Sequence, residues 1–127
     1  MTNLTTLAHH HLLTFINTQY HSHYFLDGTC GNGYDTLFLA QQTGPFGKVW
    51  AFDIQRQALE TTKQYLKKHH YMSKVSLIHN SHEYNKKYIP QDKQGYISGF
   101  MLNLGYLPKS DKKIITQPTY HRTLAIE

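Results

Sequence analysis

Apolar residues near the start of the chain recur at helical spacing. Leu4, Leu7, Ala8, Leu12, Phe15 and Ile16 predict a helix over residues 4–19 with one buried face. The short apolar run HYFLD (23–27) reads as a buried strand. YDTLFLAQQ (34–42) returns to a helical pattern, TGPFG (43–47) breaks it, and KVWAFD (48–53) is a second strand. Over residues 55–70, Ala58, Leu59, Thr62, Tyr65 and Leu66 share one face while Lys63, Lys67 and Lys68 lie elsewhere, the pattern of a surface helix over a sheet. KVSLIH (74–79) is a third strand, EYNKKYI a short helix, and GYISGFMLNL (95–104) a fourth strand. GYLPKSDKK then reads as a loop, and TLAIE as the opening of a helix.

Strands alternating with helices imply an α/β fold with about four parallel strands joined by right-handed crossovers. No repeat, low-complexity tract or linker interrupts the 127 residues, so one domain is expected. The apolar share is modest at 39%, but sixteen Phe and Tyr and one Trp provide large units of burial. A formal charge of +5 favours a polyanionic partner, nucleic acid included, though it also suits a solvated lysine face. The single cysteine, Cys30, excludes an internal disulfide and any zinc site built on cysteine pairs. No apolar run approaches a membrane span and the first residues lack a signal-peptide pattern, so a cytoplasmic protein is expected.

The stretch FLDGTCGNGYDTLFLA (25–40) places glycines where the first strand turns into a helix, and there backbone can approach a ligand. Gly31 and Gly33 flank Asn32. Asp53 ends the second strand about twenty residues later, where a carboxylate reaches a ribose hydroxyl pair. A dinucleotide site would want a third small residue near position 36, but Asp35 and Thr36 occupy that turn, and Asp35 would repel a pyrophosphate. No Gly-Lys-Ser/Thr makes a phosphate loop either. Asp27 and Asp35 would instead hold a ligand with an ammonium or sulfonium group, and S-adenosylmethionine joins such an end to a ribose and adenine. Taken alone, the glycines also suit a plain tight turn and Asp35 a first-turn helix charge.

DGTCGNGYDTLFLA, AFDIQRQAL, LIHNSHEYNKKYI and NLGYLPKSDKKIIT, in that order, resemble the small class I S-adenosylmethionine-dependent methyltransferases known as the rRNA methylase family. The resemblance implies a Rossmann-like class I methyltransferase fold for residues 1–127 as a single cofactor-binding domain. It also implies N-methylation of the aminomethyl group of 5-aminomethyl-2-thiouridine at the wobble position of tRNA. By the same resemblance Asn32 and Asp35 contact the methionine end of the cofactor, Asp53 and Gln55 hold the ribose, and Ser81 and His82 lie near the adenine. Asn103 and Tyr106 fall where related amino-methyltransferases position the target amine. Asn103 would accept its hydrogen bond, and Tyr106 would stack on the flipped base or pack as a loop aromatic. Leu104 and Gly105 replace the two prolines of the related pattern.

Ten histidines, three of them consecutive at positions 9–11, invite a metal site. Consecutive residues of a helix point in different directions and no Cys or acidic cluster joins them, so no metal is expected. Cys30 is expected to fill space in the turn and not to act as a nucleophile. Against a seven-stranded class I sheet, four strands imply a truncated domain lacking its C-terminal third. Ile97–Leu102 would then form a bare sheet edge, inviting self-association or a homodimer. The competing functions are an rRNA methyltransferase, a nucleotide-dependent oxidoreductase of similar fold, and an inactive remnant retaining only cofactor or RNA binding.

Overall fold

The computed structural model describes residues 9–10, 22–104 and 111–116. Its elements in chain order are β1 (Tyr24–Asp27), α1 (Tyr34–Gln41), β2 (Lys48–Asp53), α2 (Arg56–Lys68), β3 (Val75–His79), α3 (Asn85–Tyr88), α4 (Gln91–Gln94), β4 (Ile97–Leu104) and β5 (Asp111–Thr116). Short 3-10 turns at Met72–Lys74 and His82–Tyr84 lead into β3 and α3. His9 and His10 are helical. The rest of the helix expected over 4–19, and the one expected at TLAIE, lie outside the described residues.

The strands form one sheet in the order β3-β2-β1-β4-β5. The first four are parallel, as the alternation of elements implies, with Leu26 opposite Trp50 on one side and Phe100 on the other. Side chains of a strand alternate between faces, and here both faces are apolar because both are covered. Phe25, Val49, Ala51 and Met101 pack with Leu37, Leu39, Ala40 and Leu66 from α1 and α2. Leu26, Trp50, Phe52, Ile78, Phe100 and Leu102 form the opposite layer with Ile89, just beyond α3.

Two expectations need correction. Asp111, Lys112 and Lys113 do not belong to a loop; they open β5, which runs antiparallel to β4 with Leu104 opposite Asp111 and Gly99 opposite Thr116. Consequently β4 is no bare edge, being paired with β1 on one side and β5 on the other. Self-association through Ile97–Leu102 therefore loses its premise. The physical reason is that an antiparallel partner needs only a short connection, whereas a further parallel strand would need a crossover of a dozen or more residues.

Candidate functional site

β1 continues to β2 on one side while its other neighbour is β4, so the carboxyl ends of β1 and β4 flank a topological switch point, where open α/β sheets form a crevice. The turn after β1 is fastened there on both sides. The Gly28 amide donates to the Met101 carbonyl at 2.8 Å and the Cys30 amide to the Phe52 carbonyl at 2.9 Å. Gly31 and Gly33 have φ of 54° and 90°, the left-handed region that L side chains avoid. This conformation lets the Gly33 amide reach back to the Cys30 carbonyl at 2.8 Å while the Gly33 carbonyl accepts from Leu37 at 2.8 Å, starting α1.

Carboxylates brace the turn. Asp27, only 1% exposed, accepts from the Thr29 amide at 3.2 Å and from the Thr36 hydroxyl at 2.6 Å. Asp53 accepts from the Gly31 amide at 3.1 Å and from the Gln55 amide at 2.9 Å. Buried Thr62 of α2 donates to the Gly31 carbonyl at 3.0 Å, tying the helix after β2 to the same loop. Asp35, 6% exposed, is met by Nε2 of His9 at 2.8 Å.

The turn after β3 approaches from the other side. The Asp53 backbone bridges to Asn80, and the Ser81 hydroxyl accepts from the Glu83 amide at 3.3 Å, capping the 3-10 turn. His82 lies against Gly28 and Phe100, for a side chain at Gly28 would come within 3.2 Å of its Cδ2 and its ring centroid is 5.9 Å from that of Phe100. Its Nδ1 is buried without a hydrogen-bond partner, as is Oδ1 of Asn85, whose amide nitrogen donates to the His82 carbonyl at 2.9 Å. Burial holds the His82 imidazole below its ordinary pKa, only partly opposed by Glu83.

The structure thus brings Asp27, Gly31, Gly33, Asp53, Gln55, Ser81 and His82 to the carboxyl ends of β1, β2 and β3, with Asp35 in the first turn of α1 and Asn32 exposed at the tip of the turn. Asn103 stands on β4 opposite Lys112. Tyr106 lies outside the described residues. Burial pushes the Cys30 thiol up to about 12, with a Thr62 hydrogen bond pulling the other way and the Asp27 and Asp53 charges adding to the rise. A thiol so raised stays protonated and is no nucleophile near neutral pH. Among the described residues no group of three or more His, Cys, Asp or Glu could hold a metal ion, and no helix is long and apolar enough to cross a membrane.

Three contributors escape sequence reasoning: Thr36, Thr62 and His9. Threonines on an apolar helical face read as filler, yet both are fully buried and each makes a bond that shapes the turn. Nothing local marks His9, whose partner comes 26 residues later.

Residues 49–126 match the profile of the family described as "Putative rRNA methylase". The chain is 35% identical over 99 residues to a chloroplastic tRNA (mnm(5)s(2)U34)-methyltransferase of Arabidopsis thaliana, covering 72% of this chain and 35% of that protein. A solved rRNA-methylase structure from Clostridium thermocellum is similar at 34% identity and a TM-score of 0.64, over 71% of this chain and 47% of the other. The rRNA methylase structure from Streptococcus thermophilus is similar at 32% identity and a TM-score of 0.58, over 70% and 46%. The chain therefore spans about a third of the curated relative's length and just under half of either solved chain.

Proposed function

The chain belongs to the rRNA methylase family, whose fold is that of S-adenosylmethionine-dependent methyltransferases, and from that premise we propose that its strand-end crevice binds S-adenosylmethionine for N-methylation of a wobble aminomethyl-uridine in tRNA. The observation that carries this reading is the meeting of the glycine turn with Asp53 and His82 at one end of the sheet. The residues fit such a cofactor. Over Gly31 there is room, since a methyl group there would meet no atom within 4 Å beyond its chain neighbours. The Asp53 carboxylate has lone pairs beyond those its two amides use and can accept from a ribose diol, with Gln55 beside it. The unpartnered Nδ1 of His82 offers a hydrogen bond to a heteroaromatic edge such as adenine, with Ser81 adjacent. Asn32 and Asp35 serve the methionine end, and Asp27 sets the turn through Thr29 and Thr36.

When bound, the cofactor supplies a methyl group already activated on its sulfonium. The protein has then only to bind, exclude water and aim a neutral amine at that methyl. Asn103 and Tyr106 are the residues proposed to place the amine and its base. The name of the Arabidopsis relative and the charge of +5 support a tRNA substrate, while the family description supports rRNA as the second reading.

Calorimetry with S-adenosylhomocysteine tests the cofactor. Binding is expected for the product and not for NAD, and Asp53→Ala should weaken it by at least about tenfold, close to 1.4 kcal/mol. NAD binding in preference, or an unchanged Asp53→Ala, would sink the reading. For the substrate, a longer protein carrying this sequence should transfer labelled methyl to tRNA from cells lacking the modification. Transfer to rRNA alone would keep the reaction and replace the substrate.

A further inference from the structure

We propose that His9 is a positioning residue of the cofactor site, acting through Asp35 on the end of the crevice assigned to the cofactor's methionine group. This inference rests on the S-adenosylmethionine reading and adds to it a residue from the segment before β1.

Asp35 stands in the first turn of α1, two residues after Gly33, which caps that helix without a side-chain hydrogen bond. Its carboxylate belongs near the positive end of the helix, but at 6% exposure it has given up most of its water. A buried carboxylate needs hydrogen-bond donors. His9 supplies one, its Nε2–H donating to Oδ1 at 2.8 Å. The imidazole is itself fixed, because it lies flat on the Phe38 ring, with centroids 3.8 Å apart and planes within 3°.

Asp35 and Phe38 are three residues apart and so share a face of α1. One side chain from 26 residues upstream thus engages both. A lysine could give the donor but not the stacked plane, and a phenylalanine could give the plane but not the donor. Helical geometry also explains why His9 takes this role and not its neighbour, for successive residues point about 100° apart and His10 is exposed. The consequence is that the rotamer of Asp35, and with it the first turn beside Asn32 and Gly33, is held from outside the strand–turn–helix unit.

The test is calorimetry of S-adenosylhomocysteine binding by the full chain and three variants. His9→Gln keeps a donor at the distance of Nε2, His9→Asn keeps the chemistry but falls short, and His9→Ala removes both. Affinity should stay within about threefold of the parent for His9→Gln and fall about tenfold for His9→Asn and His9→Ala. Because Asn and Gln differ by one methylene, their contrast isolates the hydrogen bond even if the alanine variant folds poorly. Parental affinity in His9→Asn, or an equal loss in Gln and Asn variants, would overturn the role and leave the cofactor reading standing. A parent chain that binds no S-adenosylhomocysteine would overturn both.

Discussion

The turns after β1 and after β3 reach the same end of the sheet, but they are built differently. In the first, Asp27, Thr36, Asp53 and Thr62 all make hydrogen bonds within the protein, and the glycine loop is fixed to β2, β4 and α2. In the second, two buried polar atoms, Nδ1 of His82 and Oδ1 of Asn85, have no partner. Internal bonds make the first turn rigid before any ligand arrives. The second retains capacity, since a buried group already stripped of water gains more from a ligand's hydrogen bond than an exposed one does. Such a division suits the proposed cofactor site, in which the first turn would set the cofactor's position and the second would read its base.

The largest expected effect falls on the rigid turn. Gly33→Ala combines a φ of 90° with a new Cβ 3.1 Å from the Thr62 backbone, and should lower unfolding free energy in urea by about 2–3 kcal/mol. Gly31→Ala has a milder φ of 54° and open space, so about 1 kcal/mol is expected there. Equal losses at the two glycines would show that Thr62 does not press on the loop.

Next comes Thr36→Val, which leaves the volume nearly unchanged and removes the 2.6 Å bond to Asp27. A hydrogen bond to a buried charge contributes about 2 kcal/mol, and the same urea titration should record that loss. Asn85→Leu probes the opposite condition. It removes an unpartnered buried oxygen together with one bond to the His82 carbonyl, so stability should stay within about 1 kcal/mol of the parent or rise. A drop as large as that of Thr36→Val would erase the distinction between the turns.

The smallest effect concerns pH. Burial lowers the His82 pKa from 6.5, so the folded chain takes up this proton less readily than the unfolded chain does. Its contribution to stability is complete above that ordinary value and is lost as pH falls from it toward the lower folded value. His82→Gln should therefore flatten part of the decline in Tm between about pH 7.5 and pH 5.5. An unchanged slope would mean that the imidazole is as well solvated folded as unfolded.

Much of the fold could be read along the chain because it depends on neighbours in sequence. The alternation of Phe25 with Leu26, and of Val49 and Ala51 with Trp50 and Phe52, marks strands buried on both faces. Asp27 and Asp53 could be placed at strand ends because the apolar runs stop there. The glycines identified the turn because few other residues accept its backbone angles. What the sequence by itself determined is thus what local periodicity and backbone sterics can encode.

Tertiary structure decided the rest. Asp111–Thr116 became a strand because β4 offered it an edge, although its lysines and the preceding Pro108 and Ser110 read as loop. Thr62 and His9 joined the glycine turn across 31 and 26 residues, and Nδ1 of His82 lost its water where the half-buried ring packs against Gly28 and Phe100. For β5 the deciding factor is the edge of β4 it pairs with, and around the glycine turn it is burial, and with it the need of a polar group for a partner. Burial is a property of the assembled sheet and its covering helices, so no window of the sequence contains it.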